Sequence, residues 1–175
     1  MKKIFFACWI LLGLSGCGWT PLYGTQPAET RAEMAAIDIL PIANAAGFAM
    51  RADLQARLNP TGAAAAKKYA LAVEILPVQS FYQNIQTDYF ASGEHLTATA
   101  RYELRDRETG RTLLASSSKA VGSYSIIRDP YATIVTRQKT EQDLMKMLTS
   151  DIIQNVISFL NESAHENQAA ANPRP

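Results

Sequence analysis

Leu14-Ser15-Gly16-Cys17 carries the one covalent chemistry that spacing alone makes legible in this chain. A thiol follows small residues, which follow the uninterrupted apolar stretch Ile4–Leu14, which follows Lys2 and Lys3. That is the layout of a secretory signal ending in a lipobox. In this chemistry the Cys17 sulfur is first diacylglycerylated, the bond before it is cut, and the freed amine takes an N-acyl chain. The rival reading is an uncleaved membrane anchor. As a helix, however, the apolar stretch spans about 17 Å against a hydrocarbon core of about 30 Å. Gly18, Pro21, Gly24 and Pro27 then break any extension. Residues 1–16 are therefore expected to be a signal peptide, and Cys17 the lipid-bearing first residue of the mature chain.

Cysteine usage agrees. Of the two cysteines, Cys8 lies in the stretch that cleavage removes, so Cys17 is the sole mature thiol and no internal disulfide can form. Two or more acyl chains hold a protein stably at a bilayer, where one does not. Gly18, not Asp, follows the cysteine, which fits lipid anchoring in the outer membrane of a Gram-negative cell, on its periplasmic side, over inner-membrane retention.

Other chemistry is sparse. The chain has two histidines, His95 and His165, so a His/Cys metal site is not expected. It lacks a Gly-rich phosphate loop, a G-x-S-x-G elbow and an H-E-x-x-H helix. His95 has no neighbouring nucleophile or carboxylate pattern and reads as a solvated strand histidine. Neither an enzyme nor a resident cofactor is expected, beyond the acyl chains on Cys17. Without Lys2 and Lys3, the 17 Lys and Arg become 15 against 16 Asp and Glu. That balance argues against a nucleic-acid partner, and any anion site must be a local cluster.

The elements that must position such a cluster follow from periodicity. Residues 17–33 recur in Gly and Pro without a period and read as a lipidated tether. A short strand at Ala35–Pro41 precedes a helix at Ala45–Leu58 whose apolar positions are Phe48/Ala49, Leu54 and Leu58. Asn59-Pro60 stops it. A second strand covers Lys68–Val78. Gln79–Gly93 reads as a polar connection holding four aromatics, Phe81, Tyr82, Tyr89 and Phe90. Glu94–Arg105 alternates cleanly, with Leu96, Ala98, Ala100, Tyr102 and Leu104 on one face and Arg101 and Arg105 on the other. The DRETG turn returns the chain into a Ser-rich fourth strand, Arg111–Tyr124, whose faces stay ambiguous. Asp129-Pro130 is an N-cap and first helical position. It opens a long helix with an apolar stripe through Ile134, Leu144, Leu148, Ile152, Val156 and Leu160. The expectation is an α+β domain over residues 34–162 in the order β-α-β-β-β-α, a four-stranded sheet with two helices packed on one face. Residues 163–175 lose the period and read as a disordered tail.

Cys17–Gly24, CGWTPLYG, resembles the mature start of the LptE family of lipopolysaccharide-assembly lipoproteins. Leu54–Pro60 (LQARLNP), Tyr69–Val73 (YALAV), Tyr102–Asp106 (YELRD) with Thr109-Gly110, and Pro130-Tyr131-Ala132 follow in the order of that family's elements. The resemblance covers about residues 17–160. It implies a small sheet packed by two helices, sitting largely inside the β-barrel of LptD. As plug and assembly factor it would help deliver lipopolysaccharide to the outer leaflet, with no catalysis. Basic residues are few in the final helix, and the Gln79–Gly93 segment has no evident counterpart in the family, so the contact residues must be sought in this chain. Phe81, Tyr82, Tyr89 and Phe90 are candidates for the partner interface, since aromatics concentrate at interface centres. Arg101 and Arg105, with Lys119 approaching from the fourth strand, are candidates for the lipopolysaccharide phosphates. The competing reading is an auxiliary lipoprotein subunit of an ABC-type lipid transporter. A lipid-modifying hydrolase ranks below both, for want of a nucleophile–base pair.

The lipobox reading has a direct test. Cys17→Ala is expected to leave the chain uncleaved and unlabelled by radioactive palmitate, and labelling that survives the substitution overturns the assignment.

Overall fold

A computed structural model describes residues 28–62, 65–85 and 91–171. The elements are α1 (Ala28–Ala35), β1 (Ile37–Ile39), α2 (Asn44–Leu58), β2 (Tyr69–Ile75), β3 (Gln79–Ile85), β4 (Ala91–Asp106), β5 (Thr112–Ser125) and α3 (Pro130–Ala171). The expected α+β architecture stands, with five strands in place of four.

β4 organises the sheet. Its alternation buries Leu96, Ala98, Ala100, Tyr102 and Leu104 to 1 % exposure or less and turns Arg101 and Arg105 to solvent. β5 runs antiparallel along nearly its whole length, from Gly93↔Ser125 to Arg105↔Thr112, with one irregularity at Leu104/Arg105. The other side of β4 is shared end to end: β2 pairs with its second half and β3 with its first, both antiparallel. Between them, Leu76 N–H donates to the Thr99 carbonyl at 2.9 Å, so the ladder continues through the break. β1 closes the sheet beside β2 in parallel. Two outward carbonyls of this short border strand are capped by cations: Ile37 O accepts from Lys67 Nζ at 3.0 Å and Ile39 O from Arg51 Nε at 2.9 Å. Asp106 builds the DRETG turn by accepting from Glu108 N and from Thr109 N and Oγ1, with Gly110 at φ 69°. The bonds from Thr109, ahead of that from Glu108, hold the Asp106 carboxyl below its usual range.

α2 and α3 cover the apolar face. α2 begins at Asn44, which takes φ 67° and accepts from Gly47 N with its side chain at 2.9 Å. Asparagine tolerates that left-handed conformation better than most residues. The buried stripe is Gly47, Met50, Leu54 and Leu58. Phe48, expected on that stripe, is 73 % exposed, because the register set by Leu54 and Leu58 passes through 47 and 50. Gly47 is there for closeness: a Cβ would stand 2.6 Å from Ile42 Cγ2 and 2.9 Å from its carbonyl oxygen. α3 is capped by Asp129 Oδ1, which accepts from Tyr131 N at 2.9 Å. Its buried stripe runs from Leu144 through Leu148, Ile152 and Val156 to Leu160. Ile134, expected to begin that stripe, is 55 % exposed.

Three expected irregular segments are ordered. Residues 28–33, read as the end of the tether, belong to α1, whose run AETRAEMA is rich in strong helix formers. Its Thr30 Oγ1 donates to Asn161 Oδ1 at 2.9 Å, and Met34 enters the core. Residues 163–171, read as disordered tail, continue α3. The first part of the Gln79–Gly93 connection is β3, and its last residues, from Ala91, open β4.

Candidate functional site

At the end of the sheet where β3, β4 and β5 meet the start of α3, the usual segregation of charge and apolar surface is reversed. Glu94 lies on the inward side of β4, in phase with Leu96, and is 3 % exposed. Tyr124, opposite it on β5, donates its hydroxyl to Glu94 Oε2. Glu94 Oε1 makes no hydrogen bond, and its nearest cation is Arg137 on α3, with Nη1 at 3.7 Å. Arg137 in turn donates Nε to Glu141 Oε1 at 3.1 Å. Burial alone would raise the Glu94 carboxyl. The hydrogen bonds from Tyr124 and Ser80, with the charge of Arg137, outweigh it and hold the group below its ordinary value. Burial, then the hydrogen bond and negative charge of Glu94, push Tyr124 up to about 12. This cluster fastens three strands and the first turns of α3 together.

The apolar residues at the same end point outward. Phe81 and Tyr82 are 61 % and 71 % exposed, and because they are neighbours in a strand they leave it on opposite faces. Phe81 sits across from His95 on the open face of the sheet, and Tyr82 across from Glu94 on the helix face. Val121 on β5, then Ile127, Tyr131, Ile134 and Val135 around the start of α3, are 45–75 % exposed. Tyr89 and Phe90 lie outside the described residues, as does Cys17. Behind the tip, a groove of about 1050 Å³ opens between α2 and α3, walled by Ala46, Ala49 and Met145 and floored by Leu76, Pro77 and Val78.

The three candidate cations do share the open face. Arg101 and Arg105 are about 13 Å apart along β4, and Lys119 stands opposite Thr99, diagonal to Arg101. Acids interleave with them: Arg105 is paired with Glu103 through Nε at 3.0 Å, and Arg101 stands opposite Glu74 of β2. Among the described residues no group of three or more His, Cys, Asp or Glu stands ready to hold a metal. Nor is any described helix long and apolar enough to cross a membrane.

Sequence reasoning missed Glu94, Tyr124 and Arg137. The available signal was parity, since Glu94 shares the phase of Leu96 and must lie inside wherever Leu96 does.

The profile of the LptE lipopolysaccharide-assembly family matches residues 34–160. The chain belongs to that family. The match runs from the end of α1 to the last buried turn of α3, and so takes in the whole sheet and the tip. No curated protein matches the sequence. Among solved structures, a lipoprotein of Caulobacter crescentus superposes at a TM-score of 0.60 with 20% identity, covering 78% of this chain and 98% of its own. The rare lipoprotein B of Shewanella oneidensis gives 0.55 at 12% identity, over 74% of this chain and 99% of that one. A minor lipoprotein of Acinetobacter baumannii gives 0.50 at 13% identity, over 71% and 94%. At these identities the likeness is one of fold. Membership of the LptE family makes this a lipopolysaccharide-assembly lipoprotein.

The tip cluster makes stability depend on pH in a defined way. The Glu94 contribution is complete above the ordinary 4.5 and is lost as pH falls through its lower folded value. The Tyr124 contribution is complete below the ordinary 10.0 and is lost as pH rises toward about 12. Tyr124→Phe is expected to make the alkaline decline of the thermal midpoint shallower. It should also cost about 1–3 kcal/mol near neutrality, by taking a donor from a buried carboxylate. Circular dichroism melts across pH measure both effects, and an unaltered alkaline flank refutes the assignment.

Proposed function

We propose that this chain is an outer-membrane lipoprotein, anchored through acylated Cys17, that assembles with the LptD β-barrel as its plug and helps deliver lipopolysaccharide to the outer leaflet. The observation that carries the reading is the distribution of apolar side chains around the tip. Phe81 and Val121 project from the open face, Tyr82 from the helix face, and Tyr131, Ile134 and Val135 from the first turns of α3. A flat surface covers one side of such a tip. A socket that surrounds it covers them all, as the lumen of a barrel does. Exposed apolar surface on this scale marks an interaction site, and the buried Glu94 cluster keeps the tip rigid enough to fit one. Tyr89 and Phe90, in the adjoining segment, belong to the same proposed interface. The role is one of binding and delivery, with no catalysis and no resident cofactor.

Lipopolysaccharide would meet the open face of the sheet, where Arg101, Arg105 and Lys119 exceed Glu74 and Glu103 by one charge. Fixed strand positions suit the recognition of phosphates on a sugar head group.

Detergent extraction and affinity purification of the full-length protein are expected to bring down a large outer-membrane β-barrel. Phe81→Ser combined with Tyr131→Ser is expected to cut barrel recovery by about tenfold or more without moving the thermal midpoint, since both side chains are exposed. Recovery solely with inner-membrane transporter subunits favours the ABC-type reading and sinks this one.

Charge reversal at Arg101 and Arg105 tests the ligand face separately. Lipopolysaccharide binding in low salt should weaken while barrel recovery is unchanged, and undiminished binding removes this face from consideration.

A further inference from the structure

The free edge of β5 is a second feature of the sheet. Leu76 donates to the Thr99 carbonyl, so the backbone groups of Thr99 face the β2–β3 side of β4. Lys119, the register partner of Thr99 on the opposite side, therefore turns its own N–H and C=O away from the sheet. The two-residue period does the same for Ala115, Ser117, Val121 and Ser123. Among the described residues no strand lies beyond β5.

The other border is treated differently. β1 is three residues long and has two of its carbonyls capped by Lys67 and Arg51. β3 offers an outward row of only Ser80, Tyr82 and Asn84. β5 is 14 residues long, contains no proline, and runs in regular register from Ser125 to Leu114. Its outward row carries one charge, Lys119, and no acid. Long unprotected edges are what monomeric proteins blunt with charges, bulges or proline, and this one is left open.

We propose that β5 is an acceptor edge that takes up an extended segment of the protein partner, with an acidic side chain of that segment set across from Lys119. The proposal rests on the partner reading above for the identity of the donor. Strand addition would satisfy the outward amides and carbonyls in one stroke. Charge favours a partner over a second copy of this chain. Pairing two β5 edges at full overlap brings two Lys119 side chains near each other, with Arg101 on the next strand and no acid in either row to balance them.

The test uses the full-length lipoprotein, free and in its detergent-extracted complex with the barrel. Amide hydrogen exchange should slow by about tenfold or more at Ser117, Lys119 and Val121 on complex formation, while the alternate residues, already bonded to β4, change little. Ser117→Pro removes an outward N–H and no β4–β5 bond, as proline on an edge allows. It should leave the melting curve unchanged and reduce barrel recovery by about tenfold. Barrel recovery that is undiminished in Ser117→Pro, with those amides unprotected in the wild-type complex, overturns the acceptor edge and leaves the partner reading intact. Reduced recovery without protection points to local distortion and also overturns it. A wild-type complex of doubled chain mass that Ser117→Pro dissolves assigns the edge to a second copy, again against the proposal. Failure of the wild-type chain to recover any barrel overturns the partner reading itself, and the proposal with it.

Discussion

The parity of β4 is the constraint on which the molecule depends. Five consecutive inward positions, Leu96 to Leu104, are sealed under the helices, while the alternate positions Arg101 and Arg105 face solvent. A slip of one residue against β5 would bury Arg101 and Arg105 and expose the apolar row, so no neighbouring register competes. Because β4 pairs with β5 on one side and with both β2 and β3 on the other, that choice fixes every other strand. It also fixes the tip, since it forces Glu94 inside, where the hydroxyls of Tyr124 and Ser80 and the nearby Arg137 make its charge tolerable.

That strand was legible because a period of two over twelve residues admits no helical reading. The two covering helices and their common face follow from it, although the helical period also predicts buried positions for Ile134 and Phe48, which are exposed. β3 was not legible. Its sequence, QSFYQNI, sets two aromatics side by side, so neither face is apolar, and its strand character comes from pairing with β4 rather than from pattern. α1 was hidden by the Gly- and Pro-rich run before it, and the end of α3 by the loss of periodicity once the helix outruns the core. The aromatics of β3 and the three cations are singled out as candidates by residue type alone. Tyr124 is not, because its partner lies 30 residues away on the adjacent strand. The exposure of Tyr131, Ile134 and Val135 is visible only in the structure, where the core stops short of them.

Two departures from ordinary globular order meet at the tip: a carboxylate inside and a ring of apolar side chains outside. Each makes sense of the other. If the apolar surface engages a partner, as proposed, it gains no internal cross-links from its own side chains. The cross-strand cluster of Ser80, Glu94 and Tyr124, with Arg137, links the strands and α3 beneath it from within. On the proposed reading this separates two tasks of the tip: shape is held by polar contacts, while apolar contact area is left for the partner.

The bond between Thr30 and Asn161 gives the molecule a direction. It fastens α1, the N-terminal end of the described chain, to the far part of α3, while Ile134 stands at the other extreme of the same helix. The 27 residues between Ile134 and Asn161 measure about 40 Å along a helix axis, somewhat more than the roughly 30 Å hydrocarbon core of a bilayer. Under the proposed anchoring through Cys17, the domain is tethered at one pole and presents its exposed apolar tip at the opposite one, about a membrane's thickness away. On that reading, the length of α3 between these two poles sets how far from its anchor the tip reaches.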